Sequence, residues 1–481
     1  MHSRINTLMK ERGMNRRELL ALIPISLAGY VHAATESGCP GMCRENVPPV
    51  GAEPLSARYI GKVCDMLRWI RGTQSENLLE AAHVIARTYR NGSVCWAQWD
   101  MGHSTTMDVF PGRDGEPEIF TQGYDRTRWK QGDLLLVNIC GDLPIEEADQ
   151  KGLFIIGGPA PWGGDAKGSE DLIDSIGKVK VRPYADLWIE TNITTLGAVM
   201  NVPGMPAPFG PVSGALGMVT YWMMLADACR VLAREGLSAP VKGDTPELMD
   251  QNIPWACLDA PLMDDYFDEV IRQIGLIGAE LGALREMART AVDSVLAGGK
   301  VFVYSRYAMG LSAEASYRRG GMLLTRGLYD EKGEIGAHFG VSDFTGTKND
   351  TVIMGLAKPD DEVDLRHFDT FRKRGMKIAA IGPSTRNLAV PEGRTIPKEA
   401  DLYSGNMCDT TGMFAVKGFP RKICPTSGVL LNQMFWAFSM EVASEIIRRT
   451  GDVPAILFSG ALKWGMEHNR RMEQLYARRG Y

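Results

Sequence analysis

The chain reads as an α/β protein made of two doubly wound parallel-sheet domains in tandem, and three observations predict this. From Leu55 onward, short apolar runs of strand length alternate with segments of helical periodicity, the pattern of a parallel sheet with helices on both faces. Gly299–Glu314 passes from an apolar run through a small-residue turn into a helix, and Asn91–Thr105 has the same order. The later half also follows the earlier at a nearly constant spacing: Asp401 less Asp186 is 215, Asp350 less Asp133 is 217, and Ser427 less Ser213 is 214. A steady offset is the mark of internal duplication.

The bulk properties set limits on function. With 481 residues and 44% hydrophobic composition, the chain can bury two or three cores. A net charge of −5 argues against a nucleic-acid partner, since phosphate neutralisation needs a basic face. Nine scattered cysteines give no paired CxxC spacing, and neither an HExxH run nor an EF-hand loop is present. No metal is therefore expected. No cofactor is expected either, because neither first strand leads into the GxGxxG turn that nicotinamide binding would need.

At the N-terminus, Arg16 and Arg17 precede an apolar run through Leu27 and Ala28, and Val31 and Ala33 flank a plausible cut before Ala34. Charged region, apolar region and small-residue site are the parts of a signal peptide. The paired arginines resemble the twin-arginine export signal, which assigns 1–33 to the signal and the mature chain to the periplasm, with no membrane contact after cleavage. The alternative is a cytoplasmic chain whose apolar N-terminal helix docks on the fold. Residues 34–54, rich in Gly and Pro, read as a linker. Within it Cys39 and Cys43 are spaced to close a small loop if oxidised; the other reading is that the cysteines, such as Cys95, Cys140 and Cys229 in apolar runs, are buried free thiols.

The first domain is placed at 55–275 and the second at 276–481. Leu78, Ala82, Ile85, Ala86 and Tyr89 recur at helical spacing before a first strand at 94–99. Further strands are expected at 133–137, 152–159 and 185–189, with counterparts at 350–354 and 374–383. Each half then has a Pro-x-Ser-Gly start, Pro211–Gly214 and Pro425–Gly428, opening a long helix rich in Met, Leu, Trp and Phe. Such helices are too apolar for a solvent face and read as core, or as the surface between the halves. No later segment is read as a membrane span, and the apolar helices make a homo-oligomer an expectation.

Taken together, the strand, Gly-x-Ser turn, helix, Asp-plus-apolar strand, Gly-x-x-Ile strand, Ala-Asp-Leu and Pro-x-Ser helix resemble the SIS (sugar isomerase) domain, in tandem over about residues 60–481. The resemblance implies a flavodoxin-like sheet that binds a sugar or phosphosugar at the carboxyl ends of its strands. It also implies a serine loop for the phosphate after the second strand. Here the corresponding loops are Asn138–Gly141 and Gly355–Pro359. Neither keeps the serines, and Lys358 supplies a cation instead.

Aldose–ketose isomerisation needs a base for the proton beside the carbonyl and a group to move protons between the two oxygens. Glu314, in the first turn after the first strand of the second half, and Glu467 with His468 near the C-terminus are the candidates for catalysis. Gly102, His103 and Ser104 in the first turn, and Gly310 and Ser312 in its counterpart, are candidate substrate contacts. Lys358, Ser384, Thr385, Thr426 and Ser427 complete the set. Two functions stay open on these residues: a sugar or phosphosugar isomerase, and a non-catalytic exported module that binds a sugar derivative.

Overall fold

The computed structural model describes residues 53–97, 114–122, 125–137, 145–158, 163–194, 196–241, 243, 248, 254–306, 311–316, 320–337, 344–384, 392–406 and 412–481. The expected signal, Cys39 and Cys43, and all but the end of the linker lie outside these residues, as do Cys140 and the turn carrying Gly102, His103 and Ser104. Pro49–Tyr481 forms one compact unit.

In chain order the helices are α1 (Leu55–Arg90), α2 (Ile145–Gln150), α3 (Asp174–Gly177), α4 (Ser213–Arg234), α5 (Leu262–Leu276), α6 (Leu281–Leu296), α7 (Leu311–Glu314), α8 (Glu362–Lys373), α9 (Ile396–Glu399), α10 (Ser427–Thr450) and α11 (Gly465–Arg479). The first sheet contains β1 (Cys95–Ala97), β2 (Phe120–Gln122), β3 (Leu134–Val137), β4 (Phe154–Gly157) and β5 (Leu187–Trp188). Its order is β2-β1-β3-β4-β5, all parallel. A hairpin of β6 (Ala198–Met200) and β7 (Phe209–Pro211) follows. The second sheet holds β8 (Val301–Ser305), β9 (Thr325–Glu331), β10 (Glu334–Ala337), β11 (Thr351–Gly355), β12 (Lys377–Gly382) and β13 (Leu402–Gly405). Its order is β10-β9-β8-β11-β12-β13, parallel except for the edge strand β10.

With β10 set aside, both sheets run 2-1-3-4-5, the flavodoxin-like order. The fold is thus α/β with two doubly wound parallel sheets, as the sequence predicts. The expected domain boundary falls at the last turn of α5.

The aspartates that carried the sequence offset have a structural task. Asp133 accepts the Val94 N–H at 3.0 Å and the Trp96 indole N–H at 2.9 Å, while Asp350 accepts the Lys300 N–H at 2.7 Å. Each ties the start of one strand to its neighbour. Asp186 accepts the Ile155 N–H at 3.0 Å and Asp401 the Ile378 N–H at 2.8 Å, repeating the device one strand further out. A carboxylate at these positions satisfies backbone donors that the ladder leaves open.

The core is a helical layer shared by both sheets. α1 packs on α4 and on β1, α6 packs on α10 and on β8, and α1 also contacts α10. Alternation along β8 divides its side chains: Val301 and Val303 face this layer, and Phe302 and Tyr304 face a second cluster with Phe368 and Phe371 of α8. α4 is long and apolar enough to cross a membrane, but 94% of that window is buried inside the fold. It is a core helix, which is why it carries no polar face. Among the described cysteines Cys64, Cys95, Cys229 and Cys424 are buried free thiols and Cys257 is exposed.

Candidate functional site

The carboxyl ends of the second sheet's strands lead directly into four of the described candidate residues, Ser312, Glu314, Lys358 and Ser384. β8 ends at Ser305, whose hydroxyl donates to Ser312 Oγ at 3.1 Å and accepts the Ser312 N–H at 3.2 Å. This fixes α7 against the strand end, with Ser312 and Glu314 both buried. Ser316 Oγ donates to the Ser312 carbonyl at 3.2 Å and accepts the Gly327 N–H at 2.7 Å. The contact requires a glycine in β9, because a Cβ at Gly327 would lie 1.9 Å from the Ser312 carbonyl oxygen. The seat of Glu314 therefore depends on two strands at once.

Ser384 follows the end of β12, buried against Gly405 at the end of β13. Asn406 donates its N–H to the Gly382 carbonyl at 2.7 Å, and Tyr403 donates its hydroxyl to the Pro383 carbonyl at 2.5 Å. Thr426 and Ser427 are buried at the start of α10, a helix of 24 residues. α10 contacts both α7 and β12, and just before its start the Pro425 carbonyl accepts the Tyr266 hydroxyl of α5 at 3.2 Å. Tyr59 of α1 reaches this region from the first half, donating its hydroxyl to the Pro211 carbonyl at 2.7 Å. Burial pushes that hydroxyl well above its usual pKa, the nearby Glu314 charge adds to the rise, and a hydrogen bond from Gln433 opposes it.

Other expected site residues have different partners. Lys358, after β11, pairs with Asp114 of the first half at 3.3 Å. His468 is buried, its Nε2 lies 2.8 Å from the Ile456 carbonyl, and its ring is enclosed by Phe458 and Trp464. Burial holds its pKa below the usual histidine value. It fastens α11 to the segment before it. Glu467 lies 60% exposed on α11 and pairs with Arg470 at 3.0 Å, a surface contact. Gly310 and Thr385 lie outside the described residues.

Sequence reasoning passed over Ser305, Tyr59, Asn432 and Gln433. Two adjacent amides inside the apolar run Val429–Trp436 are a readable anomaly. Tyr59 leaves no such signal, because it comes from a distant helix. Among the described residues no group of three or more His, Cys, Asp or Glu side chains is arranged to hold a metal ion.

No protein-family model matches the chain, and no curated protein matches it. Solved structures similar to it include tagatose-6-phosphate ketose/aldose isomerase from Escherichia coli, at 12% identity and a TM-score of 0.41, covering 86% of this chain and 99% of that one. The C-terminal domain of glucosamine-fructose-6-phosphate aminotransferase from Francisella tularensis has 10% identity and a TM-score of 0.39, covering 82% and 96%. Glucosamine-6-phosphate deaminase from Thermotoga maritima has 11% identity and a TM-score of 0.39, covering 83% and 96%. The fold class stands on the strand order of the two sheets and not on these scores.

Proposed function

We propose that the chain binds a sugar or sugar phosphate at the carboxyl edge of its second sheet and that Glu314 moves the proton in an aldose–ketose interconversion. The observation that carries this reading is the Ser305–Ser312 hydroxyl pair at the end of β8, next to which Glu314 is buried in α7, with Ser384 buried at the end of the neighbouring β12. Hydroxyl-rich crevices at strand ends suit polyhydroxylated ligands. The sequence resemblance to the SIS domain supports the same class. In the reaction Glu314 takes the proton from the carbon beside the carbonyl and returns it to the former carbonyl carbon, while a hydroxyl proton passes between the two oxygens. No atom is gained or lost.

A second reading, binding without turnover, is favoured by one observation: Lys358 is engaged by Asp114, so the loop after β11 offers no free cation for a phosphate. Thermal-shift titration with fructose 6-phosphate, glucosamine 6-phosphate, fructose and N-acetylglucosamine separates the two. A ligand at a hundred times its Kd adds about 2.7 kcal/mol of stability. Isomerase activity is expected to fall by about 10²–10⁴-fold in Glu314→Gln with the ligand shift retained. Binding with no turnover by the wild type would leave the second reading; no shift with any probe would remove both.

The paired arginines Arg16 and Arg17 further support export of the mature chain from Ala34. Cell fractionation with N-terminal sequencing checks this. Protein that stays in the cytoplasm with residues 14–33 attached would overturn it.

A further inference from the structure

α10 carries two polar side chains in an otherwise apolar stretch, and they have no surface to reach. Asn432 is 1% exposed and Gln433 0%. The Gln433 amide Nε2 donates to Asn432 Oδ1 at 3.1 Å. Asn432 Nδ2 and Gln433 Oε1 are left with no hydrogen-bond partner in the structure. Exchanging O and N in both side chains keeps the bond between them with its direction reversed. A buried polar atom without a partner costs more than a typical hydrogen bond returns, so a persistent open pair calls for an explanation.

The position supplies one. Helical side chains lean toward the helix N-terminus, here toward Thr426 and Ser427. Gln433 also meets Tyr59, the same hydroxyl that feels the Glu314 charge. Gln433 and the Glu314 charge therefore act on the same hydroxyl. We propose that the Asn432 and Gln433 amides are ligand contacts, held open for one group that donates and accepts hydrogen bonds at once, a hydroxyl of the bound sugar. This rests on the proposed function and names the part of the ligand that is read. A sugar hydroxyl accepts from the free N–H₂ and donates to the free C=O, whereas a phosphate, ionised at neutral pH, leaves the C=O unpaired.

The competing account is a structural amide pair bridged by buried water. Asn432→Leu and Gln433→Met, singly and together in the full chain, distinguish the two, because both replacements keep the approximate volume and remove the polar atoms. If the amides are kept open for a ligand, the ligand-free double variant melts at the wild-type temperature or above it, since both unpaired buried groups have been removed, whereas each single change also strands the partner amide and melts lower. The shift produced by fructose or N-acetylglucosamine is then lost, with affinity weakened by at least about tenfold for each lost bond. A lower melting temperature of the ligand-free double variant, or an unchanged sugar shift in it, would overturn the proposal. If no sugar shifts the wild type, the proposed function fails, while the melting temperatures of the ligand-free variants still decide whether the amides are an open pair.

Discussion

Asp227→Ala is expected to destabilise the protein by about 3–5 kcal/mol, the range for stranding one partner of a buried ion pair. Asp227 is fully buried in α4, where one carboxylate oxygen holds the Arg230 guanidinium. The other accepts the Met263 N–H at 2.8 Å. Met263 is in the first turn of α5, whose N-cap position is Pro261, with no side-chain cap. Asp227 thus caps α5 from another helix and neutralises a cation that is 8% exposed. Alanine removes both services and leaves a buried charge and an orphan donor. Chemical denaturation of the wild type, Asp227→Ala and the double change Asp227→Leu with Arg230→Met checks the cause. The double variant is expected to recover part of the loss, because it no longer buries an unpaired charge. Equal losses in the two variants would show that the ion pair is not what matters.

The parts of this fold that the sequence discloses are those fixed by local chemistry. Asp133 and Asp350, with Asp186 and Asp401, stand out because a strand start needs a carboxylate in the same place in both sheets. The apolar strands β3, β4, β11 and β12 are buried on both faces and read as continuous hydrophobic runs. β2 and β9 went unread for the opposite reason. β2 has three residues, and β9 reads Thr-Arg-Gly-Leu-Tyr-Asp-Glu with little apolar pattern, so its pairing with β8 supplies what its composition does not.

At the candidate site, the place of Glu314 and Ser312 after a strand is legible, while their neighbours are not. Tyr59 lies far away in sequence, and the two amides of α10 vanish in a helix dominated by Trp, Phe and Met. His468 shows the limit from the other side. Glu467 and Asn469 flank it in a run that continues Arg470 and Arg471, yet the fold encloses it between Phe458 and Trp464. Charge spacing alone cannot show which member of a polar helix turns inward.

Stability is expected to fall as pH rises from about 4 to about 7, and Asp364→Asn is expected to remove much of that slope. Asp361, the N-cap of α8, and Asp364 and His367 within it follow one another at intervals of three, and each is tied to the second sheet or the residue just after β8. Asp361 holds Arg306, Asp364 accepts the Tyr304 hydroxyl at 3.1 Å, and His367 lies 2.7 Å from Asp330. Three carboxylates therefore share one permanent cation in a largely buried cluster. Burial first, and then the Asp361 charge, push Asp364 up to about 7. In the unfolded chain an aspartate titrates near about 3.9. Below that pH both states hold the proton and nothing is lost. Between the two values only the folded state holds it, so each pH unit costs the fold about 1.4 kcal/mol, and above about 7 the loss is complete. From pH 5 to pH 8 the wild type should lose about 3 kcal/mol relative to Asp364→Asn, whose amide keeps the shape and an acceptor for Tyr304 but has no proton to lose. Urea denaturation at both pH values measures this difference, in which contributions from other titrating groups cancel. Parallel losses in the two proteins would mean that Asp364 is already ionised in the fold, with Arg306 offsetting its charge as well as that of Asp361.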